Sequence, residues 1–448
     1  MKGNNVPQVR VGIMNNNSLE FVFNGDYVVN GTHCTGLYSA QCVDDKVKWN
    51  GRCFDQLLFE PVDEATCSFM LKDVVIGVSF HWRRKEDQTF RGSLQIIVEN
   101  GKLTAINKLS VEEYLLSVIS SEMSATASQE LLKAHAVISR SWLLAQMLKP
   151  APDSGGLDVL GDAAPVIRAS SDSNDELIRW WDRDDHVHFD VCADDHCQRY
   201  QGITRATTDA VKKAIESTWG QVLMYDGQLC DARFSKSCGG VYEEFENCWE
   251  NHHHPYLVAR RDSEDEMNFP DLRREAEAEE WILTAPKAFC NTADKKILSQ
   301  VLNDYDQETT DFYRWKVEYT QEQLADLIHR RTGDDYGRIR DLQPIARGTS
   351  GRLYKMKIVG EKMSKIIGKE LAIRYALSES ALYSSAFVVE RHDVDADGYP
   401  AKFVLRGAGW GHGVGLCQIG AAVMGAKGYN YKQILLHYFI GAKIENKY

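Results

Sequence analysis

The sequence lacks three features that would restrict its class at once: a long apolar run, a basic stretch and an internal repeat. No apolar run approaches the roughly 18 residues that a membrane-spanning helix needs. No Lys/Arg-rich run stands out, and 52 basic against 64 acidic residues leave a formal net charge of −12. Nucleic acid is therefore a poor partner on electrostatic grounds. A neutral or weakly charged ligand fits this composition better.

The start of the chain, MKGNNVPQVRVGIM, also lacks the apolar core of a signal peptide. This leaves two expectations, a cytoplasmic protein or one whose targeting segment is not part of this sequence. The 448 residues are enough for two or three domains with sizeable cores.

Cysteine, by contrast, is abundant, and its count of 11 is odd. A chain of this length does not need disulfides to fold, and an odd count leaves at least one free thiol if the others pair. Metal ligation therefore competes seriously with disulfide formation.

The pattern of strands and helices predicts an α+β fold. Residues 1–108 contain β-branched and aromatic runs separated by turn residues, which indicates a β-rich N-terminal part. Residues 109–448 mix helices and strands in blocks and form the predicted mixed α/β part. Within them, residues 263–332 are charged and predict a mainly helical insertion, and residues 151–176 predict a long loop.

Two predicted helices meet at a single carboxylate, Glu122. Ser110 and Glu113 form a capping-box pattern at the start of the first helix, and the second can begin at Thr126 or Ser128. Apolar neighbours of Glu122 would favour the protonated carboxyl that a general acid needs. Its position is otherwise compatible with a solvated bystander.

A cysteine-histidine cluster follows in the stretch HVHFDVCADDHC. His186, Cys192, His196 and Cys197 offer two imidazoles and two thiols, a set that suits a tetrahedral zinc ion, with His188 as a spare ligand. The spacing is not that of a zinc finger. A surface loop with free thiols, or a Cys192–Cys197 disulfide, is the alternative.

A glycine-rich block, RGAGWGHGVGLCQIGA, spans residues 406–421. Its glycines would let the backbone approach a ligand closely, with Trp410 and His412 projecting from that frame. The block has neither the Lys-Ser/Thr nor the glycine order of a phosphate loop, so a tight turn is the competing interpretation. In the stretch FSKSCGG, Ser235, Ser237 and Cys238 precede a Gly-Gly pair, but no G-x-S-x-G elbow or evident base supports a nucleophile there.

Taken in order, these motifs resemble the stage II sporulation protein D and amidase-enhancer (SpoIID/LytB) family. The resemblance covers most of residues 105–445. It begins with YLLSVISSEM and LLKAHAVISRSW, continues through YQGI, FSKSCGG and ENCW, and closes with GAGWGHGVGLCQIGA. Any one motif is modest evidence, whereas the whole order is specific.

The resemblance implies a peptidoglycan lytic transglycosylase that cuts between N-acetylmuramic acid and N-acetylglucosamine, preferring strands without stem peptides. The matching glutamate, Glu122, would be the catalytic acid and base. The other matching residues imply substrate contacts, and they are Ser121, Arg140, Tyr200, Ser237, Trp410, His412 and Gln418. Many family members carry a His-Ser run just before the Gly-Gly pair, whereas in this chain Phe234 is followed by Ser235, Lys236, Ser237 and Cys238. This puts the contacts from that loop in doubt.

The resemblance also implies a structural zinc at the cysteine-histidine cluster, because some family members carry zinc there. It implies an envelope, periplasmic or cell-surface location and glycan strands as partner. Two other functions remain open. A non-catalytic relative would bind glycan and enhance a cell-wall amidase, and a metal-dependent hydrolase would use the cysteine-histidine cluster for turnover.

Overall fold

A computed structural model describes most of the chain. The described residues are 5–76, 84–124, 126–148, 167–173, 175–181, 186–194, 197–204, 208–264, 269–301 and 310–448. Within these ranges no helix is both long and apolar enough to span a membrane.

The described residues form 24 strands and nine α-helices. The strands are β1 (Gln8–Asn16), β2 (Ser18–Val29), β3 (Thr32–Val43), β4 (Lys46–Trp49), β5 (Arg52–Phe54), β6 (Gln56–Pro61), β7 (Ser68–Ile76), β8 (Arg84–Phe90), β9 (Ser93–Glu99), β10 (Lys102–Ser110), β11 (Ile167–Asp172), β12 (Glu176–Trp181), β13 (Val191–Cys192), β14 (Gln221–Tyr225), β15 (Gln228–Leu229), β16 (Phe234–Ser235), β17 (Arg314–Thr320), β18 (Ile339–Arg347), β19 (Leu353–Gly360), β20 (Ser364–Gly368), β21 (Phe387–Val394), β22 (Pro400–Ala408), β23 (Leu416–Cys417) and β24 (Lys443–Asn446). The helices are α1 (Val111–Glu122), α2 (Gln129–Met147), α3 (Asp209–Ser217), α4 (Glu275–Leu283), α5 (Lys295–Leu298), α6 (Gln321–Thr332), α7 (Glu370–Ala376), α8 (Gln418–Ala426) and α9 (Tyr431–Tyr438).

The N-terminal strands build one large sheet, as the alternating pattern predicts. Its main path runs β13-β1-β10-β9-β6-β2-β3-β4-β5, and β7 and β8 branch from β2. In β2, Leu19, Phe21 and Phe23 are buried on one face, which is the period of two expected of a half-buried strand. The hairpin between β9 and β10 turns at Asn100 and Gly101, whose φ values of 51° and 70° suit a tight primed turn.

Two capped helices follow this sheet, as predicted. Ser110 caps α1 and accepts a hydrogen bond from the backbone N–H of Glu113 at 3.2 Å. Ser128 caps α2 in the same way through Leu131 at 3.3 Å. These caps satisfy backbone donors that a helix start leaves free. Helix α2 is buried on nearly all sides because α1, α3, α8, α9 and β14 pack around it.

The predicted boundary at residue 108 marks a change of secondary structure and not a change of core. Strand β10 runs past it to Ser110, and buried residues of the large sheet and of α1, α2, α8 and α9 form one hydrophobic core. Strand β13 strengthens this join, because Val191 pairs with Val11 on β1.

A second hydrophobic core is formed by residues from β17 to β22. The predicted helical insertion, residues 263–332, contributes a strand to it as well as helices. Residues 263–332 do contain α4, α5 and α6, but they also contain β17, which pairs with β22 along its whole length. Residues 315–405 bury their own hydrophobic cluster, with α6 and α7 against β17–β22. In the predicted loop 151–176, residues 167–172 form β11; residues 149–166 lie outside the described residues. Overall the fold is α+β, as predicted.

Candidate active site and metal centre

Glu122 is the last residue of α1, so the predicted helix break is present at this carboxylate. Met123 follows in an extended conformation with φ −117° and ψ 145° and donates its N–H to the carbonyl of Ile119. Ile119 and Met123 are buried, whereas Glu122 itself is half-buried. The chain therefore turns away from the helix at a half-buried carboxylate.

The loop after Glu122 is tied to a distant segment through Gln300. The Gln300 carbonyl accepts from the backbone N–H of Ser124 at 3.0 Å, and its side-chain oxygen accepts from that of Ser128 at 3.0 Å. The next residue, Val301, accepts a hydrogen bond from the Lys236 ammonium at 2.6 Å. These contacts bring the FSKSCGG loop to the same side of the molecule as the end of α1.

The FSKSCGG loop and the glycine-rich block pair directly with each other. Strand β16 lies parallel to β23, and Ser235 is in register with Cys417. The backbone of Ser237 exchanges two hydrogen bonds with that of Trp410, at 3.0 and 2.8 Å. Two motifs that are 170 residues or more apart in the chain thus form one structural unit.

The glycines of the block serve this pairing, which differs from the predicted close approach to a ligand. A Cβ on Gly411 would lie 3.0 Å from the Cβ of Ser235, and one on Gly415 would lie 2.1 Å from the carbonyl oxygen of Arg233. The φ values of 93° and 73° at these two glycines also disfavour any other residue. The block is therefore glycine-rich where neighbouring backbone and side chains pack closely against it.

Trp410 and His412 are half-buried and extend an aromatic surface. The Trp410 ring lies 4.3 Å from that of Tyr383, and the His412 ring lies 4.9 Å from that of Trp249. All four rings keep partial exposure. Such faces suit sugar rings, which present C–H groups to aromatic side chains. Trp249 lies in the ENCW motif of the family resemblance, whereas Tyr383 had no signal in the sequence beyond its residue type.

The imidazole of His412 is neutral. Burial, and then the positive charges of Arg233 and Arg352, hold its pKa well below its usual range. Nδ1 accepts from the backbone N–H of Val414 at 3.0 Å, so the ring proton is on Nε2. The backbone of Phe234 also hydrogen-bonds this ring, so His412 is held between two backbone groups.

Five of the predicted substrate contacts do not fit direct contact with a glycan, because they have almost no exposed surface. They are Ser121 (5%), Arg140 (0%), Tyr200 (2%), Ser237 (0%) and Gln418 (2%). The Tyr200 hydroxyl donates to Asn107 at 2.6 Å. Nε2 of the Gln418 amide lies 3.1 Å from Nε2 of His135. This contact joins the end of the glycine-rich block to α2.

Arg140 in particular is occupied by a buried ion pair. Its guanidinium donates to both carboxylate oxygens of Glu112, at 2.8 and 2.7 Å, and to the carbonyl of Gln221 at 3.0 Å. This pair joins α2 to α1 and β14. Its position gives Arg140 a structural role in place of the predicted substrate contact.

The cysteine-histidine cluster brings together three of its four predicted ligands. The ligand atoms of His186, Cys192 and Cys197 lie within 4.8 Å of one another, and the Cys197 sulfur is 3.4 Å from Nε2 of His186. The fourth predicted ligand, His196, lies outside the described residues. Two thiols and an imidazole are a donor set that fits zinc. Since Cys192 lies in β13, a metal here would hold this loop against the large sheet.

Comparison with known proteins supports the resemblance seen in the sequence. Residues 99–225 match the family model described as stage II sporulation protein, and this segment includes α1, Glu122 and α2. The amidase enhancer of Bacillus subtilis is 25% identical over 336 residues, and stage II sporulation protein D of the same strain is 23% identical over 340 residues. The chain is thus similar to the SpoIID/LytB family, through the matching segment 99–225 and through these named relatives.

The extent of the match differs between these relatives. The alignments cover 74% and 76% of this chain, but only 40% of the amidase enhancer against 76% of stage II sporulation protein D. An uncharacterized protein of Brachyspira hyodysenteriae is 24% identical over 355 residues, or 72% of its length. A second model, described as a domain of unknown function, matches residues 243–415. That segment of the chain contains the second core and most of the glycine-rich block.

Proposed function

We propose that this chain is a peptidoglycan lytic transglycosylase that cleaves the bond between N-acetylmuramic acid and N-acetylglucosamine, with peptide-free glycan strands as substrate. The observation that carries the proposal is the placement of Glu122. It is a half-buried carboxylate at a helix break, inside the segment that matches the SpoIID family. The contacts through Gln300 and Val301 link its loop to the unit formed by FSKSCGG and the glycine-rich block.

One carboxylate is enough for this chemistry. Hydrolytic glycosidases use two carboxyl groups, one as acid and one as base or nucleophile. In the lytic reaction the 6-hydroxyl of the muramic acid attacks its own anomeric carbon as the bond to the leaving oxygen breaks. Glu122 donates its proton to that oxygen and then accepts the hydroxyl proton. The product carries a 1,6-anhydro end, and no water is consumed.

The aromatic surface provides the glycan contacts in this proposal. Trp410, Tyr383 and Trp249 offer partly exposed faces, and the His412 ring packs against Trp249. The formal charge of −12 disfavours a polyanionic ligand, whereas a stripped glycan strand carries only its lactyl carboxylates. One structural zinc, held by His186, Cys192, Cys197 and His196, would fix the loop beside the large sheet.

The relatives support a role in the cell wall, and such a role places the protein outside the cytoplasm. One relative is named amidase enhancer, so a cell-wall amidase is the partner of the second candidate function, a non-catalytic glycan-binding enhancer. Because the alignment covers only 40% of that relative, the match does not assign an amidase partner to this chain.

The rate of glycan cleavage by Glu122→Gln tests the proposal. The variant keeps size and polarity but cannot transfer a proton, so we expect the release of soluble fragments from peptide-free strands to fall by roughly 100-fold or more. Glu113→Gln removes a carboxylate from the opposite end of the same helix and is expected to keep the rate. Binding to insoluble peptidoglycan should be the same for all three proteins.

Two results would contradict a catalytic Glu122. Equal rates for wild type and Glu122→Gln would exclude it as the proton donor. Binding without cleavage by the wild type, together with faster hydrolysis by an added amidase, would establish the enhancer instead.

A further inference from the structure

A second group of metal-binding side chains lies behind the glycine-rich block, and the sequence analysis did not find it. Cys238, Asp262, Cys290 and Cys417 come from four separate segments of the chain, and each is at most 2% exposed. One ligand atom from each lies within 4.8 Å of the other three. All eleven cysteines lie in the described part of the chain, and none forms a disulfide.

The spacing of these atoms matches the edges of a small tetrahedron. The Cys238 and Cys290 sulfurs are 3.6 Å apart, and the Cys238 sulfur is 3.5 Å from Oδ2 of Asp262. A tetrahedral zinc ion with its usual bond lengths separates two sulfurs by roughly 3.8 Å and a sulfur from an oxygen by about 3.5 Å. A disulfide would require the two sulfurs to approach to about 2.05 Å. The present spacing fits one shared ion.

We propose that Cys238, Asp262, Cys290 and Cys417 form a second, buried metal site that takes one zinc ion. Three thiolates and a carboxylate are ligands that zinc accepts in tetrahedral sites. Protein side chains would fill all four coordination positions of the ion, and none of the four residues is more than 2% exposed. The ion therefore has a structural role, with no open position for substrate.

Backbone donors surround the sulfurs as a thiolate site requires. The N–H of Gly240 points at the Cys238 sulfur at 3.4 Å. The N–H groups of Cys238 and Gly420 point at the Cys417 sulfur, at 3.3 and 3.4 Å. Cys417 also caps α8, so its sulfur lies at the positive end of that helix. These donors offset part of the negative charge that three thiolates bring into the core.

The carboxylate of Asp262 is oriented in the same manner. Oδ1 accepts from the Tyr438 hydroxyl at 2.8 Å and lies 3.5 Å from Nε2 of His437. Oδ2, the oxygen nearer the sulfurs, accepts from the N–H of Cys290 at 3.1 Å. Hydrogen bonds to ligating groups of this kind fix their geometry around a metal.

The proposed ion would hold together the segments that carry the candidate active site. Cys238 directly follows Ser237, whose backbone pairs with Trp410, and Cys417 precedes Gln418. Arg352, which is 1% exposed, donates to the carbonyl of Cys238 at 3.0 Å and reinforces the same junction. The site is thus a positioning element for the aromatic surface.

Zinc content measured by inductively coupled plasma mass spectrometry tests the proposal. We compare the wild type, Cys290→Ala and Cys230→Ala, all expressed in zinc-supplemented medium. Cys230 is also fully buried but lies outside the group, so it controls for the loss of a buried thiol. We expect Cys290→Ala to contain one zinc equivalent per chain less than the other two proteins. Equal zinc in all three would overturn the proposal.

A measurement on the wild type decides the question if Cys290→Ala does not fold. An anomalous difference map collected at the zinc edge should show a peak about 2.3 Å from each of the three sulfurs. A map without that peak, or a disulfide between Cys238 and Cys290, would overturn the proposal. Neither readout depends on glycan cleavage, so the proposed function can fail without affecting this result.

Discussion

Arg140 shows how burial decides the role of a residue that a family motif marks. The family pattern predicts a substrate contact, but the side chain has no exposed surface and makes a bidentate pair with Glu112, which is 3% exposed. The Tyr448 hydroxyl donates to the same carboxylate at 2.6 Å. The Arg140 position is thus explained by the buried ion pair that holds α2 against the start of α1.

Loss of Arg140 should therefore be measured as instability. Arg140→Ala leaves the Glu112 carboxylate buried without its counter-charge, and we expect the free energy of unfolding to fall by about 3–5 kcal/mol. Urea denaturation measures this change. Arg330→Ala removes an arginine from an exposed ion pair and should leave the midpoint close to that of the wild type. An Arg140→Ala protein with wild-type stability and weakened glycan binding would contradict this structural role and support the predicted substrate contact.

His135 introduces a dependence of stability on pH. Its ring is fully buried, and burial, then the positive charge of Lys236, lowers its pKa to about 3. Because an amide nitrogen can only donate, the Gln418 side chain requires the imidazole to accept at Nε2. The unfolded chain binds a proton near pH 6.5 and the folded chain does not, so the folded state loses stability as the pH falls below about 6.5.

The size of this effect follows from proton linkage. We expect His135 to cost about 2 kcal/mol of stability at pH 5 relative to pH 8. Denaturation of His135→Gln across this range should show a shallower slope than the wild type. His392→Gln removes an exposed imidazole and controls for the loss of a histidine as such. Identical slopes for wild type and His135→Gln would exclude this account of the buried ring.

At the scale of elements, the alternating glycines give the glycine-rich block its shape. Gly415 has a φ of 73°, and a Cβ there would lie 2.1 Å from the Arg233 carbonyl oxygen. Gly428 has a φ of 91° with nothing within 4 Å of the same position. Both glycines have the left-handed conformation, but only Gly428 has room for a Cβ. The two positions are therefore a matched pair for comparison.

Alanine at each of these glycines separates strain from close packing. Gly428→Ala should cost about 1–2 kcal/mol, the price of a left-handed conformation for a residue with a Cβ. Gly415→Ala must in addition separate β16 from β23, and we expect a clearly larger loss of thermal stability. Thermal unfolding followed by circular dichroism measures both variants. An equal loss in the two would mean that the block is open enough to accept a ligand between these strands.

The elements differ in how well the sequence alone predicts them. Helices α1 and α2 were predicted because each has a serine cap and an apolar stripe of helical period. Strand β3 was missed because most of its side chains are exposed or half-buried and polar, which leaves little alternation to detect. Strand β11 was assigned to a loop rich in glycine, proline and serine, although it pairs with β12. Local pattern does not reveal a strand that gains its stability from its neighbour.

At the scale of the whole molecule, the residues that form the sites come together through long-range pairing. The ligands of the cysteine-histidine cluster lie within residues 186–197, so the sequence predicts them as one group, whereas the role of Glu122 is predicted by the family resemblance. The group of Cys238, Asp262, Cys290 and Cys417 spans 179 residues between its first and last members, and no spacing rule predicts it. The sequence also did not predict strand β17 of the second core, because this strand lies within a charged segment that favours helices.

The central claim is that Glu122 supports cleavage without water, and the most direct test examines the products. Peptide-free glycan strands are digested in water labelled with oxygen-18, and the new ends are analysed by mass spectrometry. We predict 1,6-anhydromuramyl ends without the label, formed by the wild type and not by Glu122→Gln. Reducing ends that carry oxygen-18 would contradict the account, because they require hydrolysis and hence a second catalytic group.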